Sequence, residues 1–435
     1  MRRYPGILLS RGVGSSAPQE TVAAIEKYLM SGLGLKDSEV TKLRKKAPWL
    51  FQRSTEQLKS VADFWDHILV SSGKAPEARQ IILGKLLKTY PTLFNLSVEK
   101  ALTEKVAFLE EQCGLTREDV ASLLSGSRAS LFCLSVVDNL QPTLELLRGL
   151  MPGSADGKES EEEEEKIRKE QMRKCVVKHP QILCLSQKNL KEKISYFDAV
   201  DASFGGTQKE KDSLASRVVI RSPAVYGLSL TENIIPKISF LARVWAQPFP
   251  DIAWDEGKVA LEALPEKVRN EVVDPDKEEP LSLAALLGEY PSILTLSLEG
   301  NIQPTLNFYN RTGFINLDSD WNKVPQSRDS EGGDAAVSPV SVIRPRYIAS
   351  SLFQRLLPRW HFYLANKEQF ISNMDKKGVQ SFSLHLLSIA NDNDYCEHIG
   401  VSVEDFKVFK EDAVPRLKFS SQFDTWLKTG RPIDV

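Results

Sequence analysis

The sequence predicts an all-α solenoid of about eight helix-turn-helix repeats, interrupted by three acidic loop insertions. Three observations predict it. One short proline motif recurs eight times, at spacings of 43, 43, 38, 51, 43, 68 and 54 residues. The same apolar pattern of helical period follows each copy. The three widest spacings are the ones that hold the acid-rich stretches. A period near 43 residues is that of a stacked helical array, in which no single unit can bury its apolar face alone.

The motif is clearest in Pro91-Thr-Leu-Phe-Asn-Leu-Ser97, Pro180-Gln-Ile-Leu-Cys-Leu-Ser186, Pro223-Ala-Val-Tyr-Gly-Leu-Ser229 and Pro291-Ser-Ile-Leu-Thr-Leu-Ser297. Weaker copies start at Pro5, Pro48, Ala129 and Pro345. With the first residue as position zero, positions two and three are apolar in all eight copies. Position six is Ser in seven, the exception being Arg11. A serine there is a good N-cap, because its hydroxyl accepts from a free backbone N–H of the first turn. Ser229 and Glu232 have capping-box spacing. A helix of about 15 residues should follow. Position thirteen is Pro in five copies (Pro18, Pro142, Pro236, Pro304, Pro358) and should bend that helix or split off its first turn. Position seventeen is apolar throughout: Val22, Trp65, Phe108, Leu146, Phe197, Phe240, Phe308 and Phe362. At that spacing the rings read as core rather than as base-stacking platforms; Tyr226 and Tyr347 are the candidates for exposed rings. A loop, often with Gly, leads to a second helix, such as Thr116 to Leu124, and the next proline ends it.

The whole chain of 435 residues carries a net charge of -2, with 42% hydrophobic and 26% charged residues, which excludes global disorder. The charge is uneven. Segments 156–165, 246–280 and 316–341 carry net -6, -6 and -3, leaving a frame of +13. They read as solvated, loop-like insertions in one solenoid domain spanning 1–430, with 431–435 as a tail. The most apolar stretch, Leu281 to Leu298, contains Glu289 and Pro291, so it does not read as a membrane span. Five cysteines, odd in number and without a C-x-x-C pair, support neither a disulfide framework nor a zinc ribbon and fit a reducing compartment. Cys133 and Cys184 share a repeat position and read as small core residues.

Pro-x-(Ile/Leu)-(Leu/Phe)-x-Leu-Ser, followed by a helix with Pro and Phe-Leu, resembles the mitochondrial transcription termination factor (mTERF) family. The last full repeat, with Arg344-Pro345-Arg346-Tyr347-Ile348, Ser351-Leu352, Arg355, Pro358-Arg359 and Phe362-Tyr363, resembles that family's C-terminal unit. Tetratricopeptide and pentatricopeptide arrays have shorter periods and lack the motif. The resemblance implies a curved superhelix that binds organellar DNA or RNA. Its roles lie in transcription termination or regulation, in RNA processing or in ribosome assembly. It also implies a location in a mitochondrion or plastid.

The residues themselves offer a candidate track. Lys45 and Lys46, Lys88, Arg128, Lys178, Arg221 and Arg344 stand within three positions of a motif start. A recurring repeat position lies at one height on every stacked unit, so these cations should form a stripe fit for phosphates. A second stripe is Lys105, Lys237 and Arg359, and Arg344, Arg346, Arg355 and Arg359 crowd the last repeat. A cation at the end of a helix also complements the negative end of its macrodipole, so the first stripe fits that purpose equally well. The alternative function is a protein-interaction scaffold that holds an RNA-processing or ribosome-assembly protein. There is no nucleophile elbow, P-loop or dinucleotide fingerprint, so the chain reads as a monomeric non-enzyme without cofactor or metal. His67, His179, His361, His385 and His398 are scattered, and Cys396 with His398 is a lone pair, short of a metal site. Residues 1–18 suit a transit peptide in composition, yet Pro5 and Pro18 fit the repeat in phase. They read as the first repeat, with any targeting segment upstream.

Overall fold

The computed structural model describes residues 19–153, 160–203, 212–244, 254–255, 258–259, 272–273, 280–312, 314–315, 343–377 and 382–419. The repeat copy at Pro5 and most of the second and third insertions lie outside them. The chain divides into two compact units, Met1–Gln187 and Lys188–Val435.

The first unit contains α1 (Gln19–Ser31), α2 (Asp37–Lys46), α3 (Thr55–Ser71), α4 (Pro76–Thr89), α5 (Thr103–Cys113), α6 (Arg117–Leu123), α7 (Gln141–Arg148) and α8 (Glu161–Lys178). The motif itself folds as a 3-10 turn: Pro48–Gln52, Pro91–Asn95, Gly126–Cys133 and Pro180–Cys184. The second unit contains α9 (Gln187–Ser203, entering from the first), α10 (Leu214–Arg221), α11 (Ile235–Val244), α12 (Leu283–Glu289), α13 (Gln303–Arg311), α14 (Pro345–Ile348), α15 (Leu357–Ala365), α16 (Lys367–Lys377), α17 (Leu384–Ser388), α18 (Asp392–Ile399) and α19 (Val403–Phe419). Its motif turns are Pro223–Gly227 and Pro291–Thr295, and at Pro345 the short α14 takes that place. Each unit is a stack of paired helices, as an α-solenoid requires. The only strands among the described residues are two two-residue antiparallel ladders within or at the edge of the second insertion. They pair Trp254–Asp255 with Lys258–Val259 and Val272–Val273 with Pro280–Leu281.

The motif residues explain the turns. Positions two and three plug the core: Leu50, Phe51, Leu93, Phe94, Leu131, Phe132, Ile182, Leu183, Ile293 and Leu294 are all buried. Position six caps the following helix. The hydroxyls of Ser54, Ser97, Ser135, Ser229, Ser297 and Ser351 accept from the backbone N–H three residues on, at 3.0–3.2 Å. At Ser54 the cap is reciprocal, because Gln57 returns a bond to the serine N–H.

The proline at position thirteen acts as expected. Pro142, Pro236, Pro304 and Pro358 each sit second in an α-helix preceded by a five-residue π turn. In those turns the N–H of Leu140, Ile234, Ile302 or Leu356 bonds the carbonyl of the capping serine five residues back, at 3.1 Å. The wider turn accommodates a ring that has no N–H and would clash one α-turn back, but it does not require one: Val98–Leu102 forms the same turn where position thirteen is Glu104. Where position thirteen is Val61 or Lys193, α3 and α9 run through uninterrupted. Pro18 lies outside the described residues.

One expectation is corrected. Glu161 to Glu165 are not loop but the first turn and a half of α8, capped reciprocally by Ser160 and Glu163. Acids at a helix N-terminus oppose its positive end, so this acidic run stabilises the helix it starts. The preference for core over stacking rings holds at Tyr226, which is fully buried with its Oη donating to the Ala215 carbonyl at 3.0 Å. The position-seventeen rings are core, with Trp65, Phe108, Phe197, Phe240, Phe308 and Phe362 buried; Val22 and Leu146 are half-exposed.

Candidate nucleic-acid interface

The first stripe is placed at the ends of the second helices, where much of it serves the neighbouring repeat. Lys46 ends α2, and its Nζ donates to the carbonyls of Lys88 at 2.7 Å and Thr89 at 3.2 Å, at the end of α4. Arg221 ends α10 and donates through Nη1 to the carbonyls of Gly288 and Glu289 at the end of α12. Each cation thus closes carbonyls that the next repeat's helix leaves unbonded, at the negative end of its dipole. Lys88 Nζ lies 2.6 Å from Glu39 Oε1, in the first turn of α2. Arg344 Nη1 lies 3.0 Å from Glu289 Oε2. At Lys46 and Arg221 a helix end is therefore completed by its neighbour, whereas Lys88 and Arg344 pair with carboxylates.

Arg128 and Lys178 are exposed, and Arg128 has no hydrogen bond or ion pair among the described residues. Arg346 is exposed, its guanidinium 5.0 Å above the Tyr347 ring and its Nη2 3.3 Å from that ring's Oη. Arg355 is half-buried, with Nη1 donating to the carbonyls of Ser388, Ile389 and Ala390 at 3.1–3.3 Å.

The second stripe is not an interface. Lys105 and Lys237 are 7% exposed and Arg359 is 0% exposed. Burial pulls all three pKa values down. Lys237 Nζ donates to the Leu294 carbonyl at 2.7 Å, within the next repeat's motif turn. Arg359 donates to the carbonyls of Leu386, Leu387 and Ala390 at 2.7–3.1 Å and pairs with Asp392 at 2.6 Å. Its guanidinium also lies 4.8 Å from the Tyr395 ring centre. No phosphate reaches these groups. At Lys237 and Arg359 this repeat position faces the next repeat, where a long cation satisfies carbonyls of a buried turn; Lys105 is buried at the same position.

Sequence reasoning missed Lys193, one position earlier in its repeat, which is buried and donates to the Tyr226 carbonyl at 2.6 Å. It also missed Lys42, Lys85 and Lys174, each six residues before a motif proline and each exposed. Their recurrence at one repeat position was the available signal. Lys174 is 3.5 Å from Glu170, while Lys42, Lys45 and Lys85 have no partner among the described residues.

Cys133 and Cys184 are half-buried. Their Sγ atoms lie 3.6 Å from Thr92 Oγ1 and 3.8 Å from Ser130 Oγ, hydroxyls of the preceding turn. Burial raises both thiols. Among the described residues no three His, Cys, Asp or Glu side chains converge as a metal site, and no helix is long and apolar enough to cross a membrane.

Residues 76–248, from α4 to just past α11, match the mTERF family. The match covers about two fifths of the chain, and over that stretch the repeats are similar to those of the mTERF family. No curated protein sequence matches the chain. Members of the mTERF family are helical-repeat, nucleic-acid-binding proteins, typically of organelles and generally not enzymes.

Proposed function

We propose that this protein, like the mTERF family it resembles over residues 76–248, regulates gene expression in a mitochondrion or plastid by gripping the sugar-phosphate backbone of DNA or RNA, with no catalytic step of its own. The action is transcription termination or regulation, RNA processing or ribosome assembly. The observation that carries this reading is the set Lys42, Lys45, Lys85 and Arg128. These cations recur near the ends of second helices or in the motif turn, are exposed, and are unused after the bonds between repeats have been counted. Such groups need phosphates spaced along a polymer, not one small ligand.

A scaffold without direct nucleic-acid contact is the second reading. It is favoured by the engagement of Lys46, Lys88, Arg221 and Arg344 in contacts within the protein. Titration of duplex DNA and single-stranded RNA between 50 and about 200 mM salt separates the two. Steep salt dependence, weakened jointly by Lys42→Gln, Lys45→Gln, Lys85→Gln and Arg128→Gln, supports the grip. Binding that is absent at low salt refutes it and leaves the scaffold.

A further inference from the structure

The second unit contains a hollow of about 450 Å³ between the end of α12, α14, the turn before α15 and the end of α17. That volume lies within the 300–1,000 Å³ typical of small-ligand sites. Its lining includes Glu289, Tyr290, Arg346, Ser350, Arg355 and Ser388. Two guanidiniums stand in one small wall. The single carboxylate, Glu289, is held at 3.0 Å by Arg344 outside the lining, so the surplus charge is positive. Arg355 uses only Nη1 on the α17 carbonyls; its Nε and Nη2 have no partner among the described residues. Arg346 has only its own neighbour, Tyr347. Tyr290 is 40% exposed, unusual for a large ring in this chain.

We propose that this hollow takes one unpaired nucleotide of a single strand, its phosphate on Arg346 and Arg355 and its base against Tyr290. Paired planar guanidiniums suit a phosphate's oxygens. An exposed ring offers the flat apolar face that a base stacks on, whatever its sequence. A base inside a duplex has both faces covered by its neighbours, so the site selects unpaired strands. This rests on the nucleic-acid reading above and adds the strand class to it.

The test uses the full chain with four probes: a 12-nucleotide single-stranded RNA, the same DNA strand, its duplex, and adenosine monophosphate. The variants are Tyr290→Ala, Tyr290→Phe and Arg346→Ala, all at exposed positions, with thermal unfolding as a check that each one folds. Tyr290→Ala should weaken single strands about tenfold and Tyr290→Phe should restore them. Arg346→Ala should reduce the single-strand salt slope by about 0.7. Duplex affinity should stay within about twofold of the unsubstituted chain under each substitution, a change below the cost of a lost stacking contact. Wild-type binding of single strands left unchanged by Tyr290→Ala and Arg346→Ala would overturn the hollow and leave the backbone grip standing. Adenosine monophosphate binding as tightly as the strand, and lost in Tyr290→Ala, would overturn the strand in favour of a free nucleotide. Absence of binding to every polymer refutes the nucleic-acid reading itself.

Discussion

The second helices of the two units spend their cations differently. In the first unit, α2, α4 and α8 are 10, 14 and 18 residues long and present Lys42, Lys45, Lys85 and Lys174 to solvent. In the second, α10, α12 and α14 have 8, 7 and 4 residues and are mostly buried. Arg217 of α10 stands at the repeat position of Lys42 and Lys85, yet it is 6% exposed and pairs with Asp201 at 3.3 Å. No cation occurs in α12 at all. One sequence motif therefore supports two arrangements, seen most plainly at one repeat position: Lys42 and Lys85 stand in solvent, whereas Arg217 is buried against Asp201.

The largest expected effect lies at Arg359. Arg359→Met removes the donors for three backbone carbonyls and the partner of Asp392, all at a fully buried position. Breaking such a pair costs about 3–5 kcal/mol. Denaturant unfolding, followed by the fluorescence of Trp360 beside it, should show that loss. A variant as stable as wild type would return Arg359 to the surface stripe and erase the contrast between the two stripes. Lys237→Met, which loses one buried bond to Leu294, should cost less, about 1–3 kcal/mol.

Gly288 sharpens the same contrast. The guanidinium of Arg217 lies where a Cβ at this position would be. Alanine ordinarily favours a helix over glycine by about 1 kcal/mol. Here Gly288→Ala should reverse that sign and destabilise by about 1–3 kcal/mol, because it pushes Arg217 off Asp201. A thermal unfolding comparison decides it; a gain in stability would mean that Arg217 can swing out to solvent as Lys42 and Lys85 do.

Much of the fold was legible because each motif residue does a local task. Serine caps, proline splits and the apolar pair plugs, and each of these depends on near neighbours in the chain. The cations Lys105, Lys237 and Arg359 were misread for the opposite reason. Repeat position showed that each cation lies at a constant height, but not whether that height faces water or the adjacent unit. A polar long-chain residue in a helix looks the same in either place, since its role depends on carbonyls dozens of residues away. Lys237 and Leu294 are 57 positions apart. The acidic run Glu161 to Glu165 was misread because composition outweighed the cap: Ser160 and Glu163 have the spacing of a helix start.

Surface charge gives a smaller effect, visible only in binding. Lys42→Gln and Lys85→Gln should leave unfolding within about 0.5 kcal/mol of wild type, as exposed positions do. Each should lower the salt slope for duplex DNA by about one if that lysine meets a phosphate. Lys46→Gln should behave in reverse, trimming stability at the α4 end while changing the slope less, because its ammonium is already held by two carbonyls. Equal slopes for Lys42→Gln and Lys46→Gln would remove the distinction between free and engaged cations.

The smallest expected effect is on pH dependence, and it tests whether both units respond to burial alike. His179, after α8, and His361, in α15, are each held below the ordinary value of 6.5 by burial. Above pH 6.5 the imidazoles are neutral in the folded and unfolded chain alike, so neither affects stability. As pH falls through 6.5 the unfolded chain takes up protons first, and stability declines until the folded pKa is passed. Asp119 titrates in a separate, lower window. Burial pushes its carboxyl up, but the hydrogen bonds from Arg173 and the Thr116 backbone, with the Arg173 charge, outweigh that and hold it below 3.8. Its contribution is therefore lost only as pH falls below 3.8. Unfolding measured from pH 7.5 to 5 should show a shallow decline that His361→Gln flattens in the second unit and His179→Gln in the first. A decline that persists in the double variant would assign the acid sensitivity to groups other than these two rings.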